Sequence, residues 1–139
     1  MEAKSPPEPQ LVLTQVSVER HPVPECWVID WLVKNESANT LQIVAVRLPH
    51  SQFKSDERRF DPAIELSSGE RKQLQTIVYC DEPAGLITEN AFVIFSVNWL
   101  GKPWRVFVRL RVTLTPNGGP ETATELITAQ KVGFSETGS

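Results

Sequence analysis

Apolar and polar residues alternate most regularly between Ala91 and Leu114. This stretch predicts one long β-hairpin. Its first arm is Ala91-Phe92-Val93-Ile94-Phe95-Ser96-Val97-Asn98-Trp99. Its second runs from Trp104 to Leu114, and Leu100-Gly101-Lys102-Pro103 forms a loop of a length common in hairpins. Successive side chains on a strand point to opposite faces, so a register can be read from the pattern. Setting Trp99 opposite Trp104 places Val97 against Val106, Phe95 against Val108, Val93 against Leu110 and Ala91 against Val112. That face is wholly apolar and is the expected core face. The other face pairs Asn98 with Arg105, Ser96 with Phe107, Ile94 with Arg109 and Phe92 with Arg111.

The rest of the chain is punctuated in the same way. Leu11 to Arg20 reads as a strand with Val12, Val16 and Val18 on one face, and His21-Pro22-Val23-Pro24 breaks it. Cys26 to Lys34 is a second strand with Trp27, Ile29, Trp31 and Val33 inward. Asn35 to Thr40 is a polar turn, and Leu41 to Leu48 is a third strand. Pro49 to Lys72 is the least regular part. It is expected to hold one or two short edge strands, with Phe53, Phe60, Ile64 and Leu66 as anchors and Ser67-Ser68-Gly69-Glu70 as a turn. Gln73 to Cys80 is the next strand, and Asp81 to Asn90 leads into the hairpin. After Leu114, Pro116-Asn117-Gly118-Gly119-Pro120 is a strong breaker. Glu121 to Phe134 is open to a short helix or an added strand, but its apolar residues fit neither period well. Leu126, Ile127, Val132 and Phe134 are read there as docking points on an otherwise flexible tail.

Six or seven strands without a clear helix predict an all-β, two-layer antiparallel β-sandwich of about seven strands. The expected organisation is an N-terminal disordered arm at 1–10, a sandwich domain at 11–115 and a flexible C-terminal tail at 116–139. Two segments carry a resemblance. LVKNESANTLQI at 32–43 looks like the polar turn between early strands of immunoglobulin-like modules. IELSSGERKQLQTIVY at 64–79 is similar to the leucine, glycine turn and alternating strand found later in them. The resemblance implies an immunoglobulin-like or fibronectin-III-like sandwich fold. It covers about a quarter of the chain and lacks the antibody-type cysteine pair and tyrosine, so it carries no function over.

Charge and composition narrow the function classes. Between Gln10 and Thr115 twelve basic residues balance twelve acidic ones, and the net charge of −3 comes from the two ends. A neutral domain has no general attraction to nucleic acid or to an anionic membrane, so neither is expected as a partner. Residues 1–10 have no apolar h-region, and no apolar run is long enough to span a bilayer, so a cytoplasmic protein is the simplest expectation. Cys26 and Cys80 are too few for a disulfide scaffold or a structural zinc site. Alternation puts them on different faces, which favours two free thiols.

No catalytic, cofactor-binding or metal-ligating set is visible. A copper site needs clustered His, Cys and Met, whereas His21, His50 and Cys80 are scattered and Met1 is the one methionine. There is no Gly-x-Ser-x-Gly and no glycine-rich phosphate loop. An enzyme would need at least two of His21, Asp30, His50, Cys80 and Asp81 to converge. Asp30, inside an apolar strand, reads as an outward-pointing or ion-paired carboxylate. Asn35-Glu36-Ser37 matches a glycosylation sequon by pattern.

The mixed face of the hairpin is the strongest functional signal. Phe92, Ile94, Arg105, Phe107, Arg109 and Arg111 form the candidate interaction face. On one reading, arginine stems simply cover apolar strand residues, or the tail covers the face. On the other, the face docks a protein, because arginine and aromatics are enriched at interfaces and monomers rarely expose such patches. The sequence therefore predicts a non-enzymatic interaction module that binds a protein partner or a second copy of itself. The alternative is a carbohydrate- or ligand-binding module using Trp99 and Trp104. That alternative needs the two rings to be exposed.

Overall fold

A computed structural model of the chain describes residues 7–133. Eight strands make up its regular structure: β1 (Leu11–Arg20), β2 (Cys26–Asn35), β3 (Leu41–His50), β4 (Phe53–Leu66), β5 (Arg71–Tyr79), β6 (Ile87–Trp99), β7 (Lys102–Leu114) and β8 (Pro120–Lys131). All paired strands are antiparallel, in the order β1-β2-β5-β4-β3-β6-β7-β8. The single sheet curls until its first and last strands meet, giving a nearly closed barrel. This replaces the two-layer sandwich expected from the sequence. Inward–outward alternation is common to both architectures. What separates them is whether the end strands find each other.

The two end strands meet through a side chain. The Gln15 amide donates from Nε2 to the Pro120 carbonyl (3.0 Å) and accepts from the Thr122 N–H at Oε1 (2.8 Å). The Thr124 hydroxyl adds a longer bond to the Leu13 carbonyl (3.4 Å). Gln15 thus does for β1 and β8 what a backbone ladder does elsewhere.

The interior is packed solid with side chains. Trp31, Phe53 and Phe95 are fully buried, together with Ile29, Leu41, Ile43, Leu48, Leu66, Leu110 and Leu114. An eight-stranded barrel has an interior about wide enough for its own side chains, and here they fill it. A buried polar pair is included: the Trp31 indole donates to the Thr76 hydroxyl at 2.9 Å.

Three elements depart from the sequence expectation through a register irregularity within the strand. In β1 the pairing with β2 slips between Gln15 and Ser17. Leu11, Leu13 and Val18 turn inward as a result, while Val12 and Val16 are exposed. The region expected to hold short edge strands is instead one 14-residue strand, β4, placed between β3 and β5. Its register with β3 jumps from Ile43↔Ile64 to Ala45↔Arg59, so residues 60–63 bulge out opposite Val44. Phe53 and Leu66 still anchor it in the core, with Phe60 and Ile64 packed alongside.

The third departure is β8. Residues 120–131 of the expected flexible tail form a strand paired along β7 from Leu114↔Pro120 to Trp104↔Lys131. Opposite the inward residues of β7 it places Thr122, Ile127 and Ala129, half-buried, and Thr124, exposed, and a bulge after Arg109 shifts the parity between Thr124 and Ile127. Residues 1–6 of the expected arm, and 134–139 of the tail with Phe134, lie outside the described residues.

The hairpin itself forms with a register two residues from the expected one. Val97 faces Trp104 and Trp99 faces Lys102, so the loop shortens to Leu100-Gly101. Both loop residues have positive φ (52° and 73°), as the tight turn that matches strand twist requires. A shift of two preserves the faces: Val93, Phe95, Val97, Val106, Val108 and Leu110 are all buried inside.

Candidate functional site

The mixed face of the hairpin is on the outside of the barrel, where β8 extends it. Cross-strand rows run Phe92–Arg109–Leu126 and Arg47–Ile94–Phe107–Thr128. Phe92 and Phe107 meet edge to face, with centroids 6.4 Å apart and planes at 90°, a favoured aromatic geometry. Much of this face is covered by the chain itself. Ile94 is only 7% exposed, and Phe92 and Phe107 are half-buried. Leu126, from β8, is 47% exposed and stands out from the rest.

The arginines divide into two groups. Arg111 sits between two carboxylates, with Nε 3.1 Å from Glu89 and Nη2 3.3 Å from Glu125. Arg109 Nε is 3.8 Å from Glu125, buried and without a hydrogen-bond partner among the described residues. Glu125 is the bulged residue of β8, and the bulge aims its carboxylate at both arginines. Arg105 is exposed and makes no ion pair among the described residues. β8, read as tail from the sequence, therefore both neutralises part of the face and adds Leu126 to it.

The structure brings the remaining candidates together only in part. Trp99 and Trp104 pack edge to face, with centroids 5.9 Å apart, and both are buried. They cap the core and offer no exposed platform to a sugar. His21 and His50 each use Nδ1 to accept a backbone N–H two residues on, from Val23 (3.0 Å) and Gln52 (3.1 Å). Asp30 accepts from the Ser17 hydroxyl and the Gln75 amide, both at 2.9 Å, and not from an arginine. Those two bonds, Gln75 first, hold its carboxyl below the usual range. No hydrogen bond joins any two of His21, Asp30, His50, Cys80 and Asp81 among the described residues. No three His, Cys, Asp or Glu side chains there are grouped to hold a metal ion. Both cysteines are free thiols, and burial pushes the Cys80 thiol up to about 11. The Asn35 side chain is buried, bonded to Asn39, Leu66 and Ser37 backbone groups, so the sequon asparagine is a structural element of its turn.

A second surface was not visible in the sequence. β4 and β5 are neighbours in the sheet, yet only Lys54↔Tyr79 pairs between them. Beyond that pair the strands part and leave a groove of about 800 Å³, lined by Pro49, Lys54, Arg58, Gln75, Ile77 and Tyr79 among others. One side chain spans it: Arg58 donates to the Gln75 carbonyl and lies over the Phe60 ring, 5.1 Å from its centroid. Alternation along either strand carries no sign of the gap, because the gap lies in the pairing between them.

No family model matches the chain, and no curated protein sequence is similar to it. Among the described residues, no helix is long and apolar enough to cross a membrane.

Proposed function

We propose that the chain is a non-enzymatic protein-interaction module. It binds through the outer face of β6, β7 and β8, to a protein partner or, in the simplest case, to a second copy of itself. The observation that carries this reading is the outer row Phe92–Arg109–Leu126 beside Phe107 and Arg105. The filled barrel interior directs binding to the outside, and this row combines an exposed leucine, half-buried aromatics and an arginine without a carboxylate partner among the described residues. Such a mixture suits a protein interface better than plain solvent. A two-fold dimer would bring the same face of both copies together.

The test is the mass in solution of the wild type and of Leu126→Asp, by light scattering over a concentration series. Leu126 is exposed, so the variant keeps the fold. A dimer that becomes a folded monomer on substitution supports the reading. A dimer unaffected by Leu126→Asp and by Arg105→Glu sinks it. A wild-type monomer removes self-association and leaves an external partner.

A further inference from the structure

We infer that the gap between β4 and β5 is a strand-addition site, which takes up an extended, acidic segment of a partner protein along the open edge of β5. The orientation of the β5 backbone can be fixed from its bonds to β2. The Cys80 N–H donates to Glu25 and the Glu70 carbonyl accepts from Asn35, so even-numbered residues of β5 turn toward β2. In an antiparallel ladder each residue offers its N–H and C=O to the same side and its neighbours to the other. Gln73, Gln75 and Ile77 therefore point their backbone groups into the gap, consistent with Arg58 reaching the Gln75 carbonyl. No β4 backbone meets these three residues, since the register holds the one pair Lys54↔Tyr79. Unpaired strand edges are templates for another strand.

Side chains around the gap specify the occupant. Ile77 and Tyr79 alternate along β5 and are 49% and 40% exposed, so an added strand would find apolar contacts beside them. Lys54 and Arg58 line the gap, and Arg71 and Lys72 open β5. None of the four makes an ion pair among the described residues. Asp56 is the acid among the lining residues, and Asp81 and Glu25 stand at the Tyr79 end. Lys54 and Arg58 outnumber Asp56 in the lining, with Arg71 and Lys72 at the start of β5 and the Asp30 carboxylate held on the Gln75 amide, so the gap is weakly cationic and complements carboxylates alternating with β-branched residues. Arg58 acts as a placeholder that an incoming backbone N–H displaces from Gln75.

The test is a titration of the isotope-labelled protein, followed by NMR, with two seven-residue peptides. One alternates valine and glutamate, the other valine and lysine. The expected result is shifts and slowed amide exchange at Gln73, Gln75 and Ile77, with the glutamate peptide binding about tenfold more tightly, as a few exposed charge contacts allow. The exposed double variant Lys54→Glu/Arg58→Glu should invert that preference. Ile77→Pro, which removes an N–H directed into the gap and not toward β2, should weaken both peptides. Thermal melts confirm that each variant folds. Equal affinity for the two peptides, no shift at millimolar peptide, or shifts centred on Phe92 and Phe107 would each overturn the inference. The last would point to the outer face of β6–β8, so the two surfaces are tested independently.

Discussion

Removing the Gln15 side chain tests how the barrel is closed. Its amide satisfies the Pro120 carbonyl and the Thr122 N–H, bonds that no β1 backbone supplies. A typical intramolecular hydrogen bond contributes about 0.5–1.5 kcal/mol net, so losing two costs about 1–3 kcal/mol. The seam is only part-buried, so water can replace some of what is lost, which favours a value near the middle, about 2 kcal/mol. For a chain of this size that corresponds to a melting temperature lowered by about 5–10 °C. Gln15→Ala measured by urea denaturation and thermal melting gives the energy, and hydrogen exchange at Thr122 gives the location. Gln15→Glu refines the argument. Its carboxylate still accepts from Thr122 but faces the Pro120 carbonyl without a proton to donate. It should be at least as destabilised as the alanine variant at pH 7 and recover near about pH 4, where the carboxyl is protonated. A Gln15→Ala protein within about 0.5 kcal/mol of wild type, or with Thr122 exchange unchanged, would refute the idea that this side chain holds β1 to β8.

Thr76→Val should destabilise by about 1–3 kcal/mol, because it strands the Trp31 indole N–H in the core. Adding Trp31→Phe to that variant measures the coupling between the two. Leu100→Asn should stabilise by about 1 kcal/mol in the same urea assay, since leucine is held at φ 52° on an exposed turn where asparagine is more at ease. Thiol labelling of the native protein should modify half-buried Cys26 first and reach Cys80 only on unfolding. The Cys80 thiol is raised in the fold, so its contribution to stability is complete below the ordinary thiol pKa. That contribution is lost as pH climbs toward about 11, and Cys80→Ala should flatten this alkaline limb.

Local alternation was enough to determine which side of most strands faces the core. Trp27, Ile29, Trp31 and Val33 all point inward as the pattern indicates, and so does the apolar face of the hairpin. Even the two-residue error in hairpin register left those faces intact, because the period of a strand is two. The exchange of loop length came from backbone conformation: Leu100 and Gly101 both adopt positive φ, and leucine gives no sign that it will. Where the parity changes within a strand, the sequence misled. The slip after Gln15 put Val18 on the face opposite Val12 and Val16, and the bulge at Glu125 hid β8, whose residues facing the inward side of β7 before it are threonines.

Neither candidate surface was legible in full. Phe92, Ile94, Arg105, Phe107, Arg109 and Arg111 were legible as one face, but the carboxylate that pairs with two of them, and the leucine that extends the face, come from β8. The groove beside β5 lies where pairing between β4 and β5 is confined to Lys54↔Tyr79, for which neither strand carries a periodic signal. Periodicity along the chain marks an all-β protein with a continuous apolar face. That this face closes on itself as a barrel emerges only from the folded arrangement. Alternation specifies inside and outside at each residue, whereas closure rests on bulges, strand order and one glutamine amide that reaches across from β1 to β8.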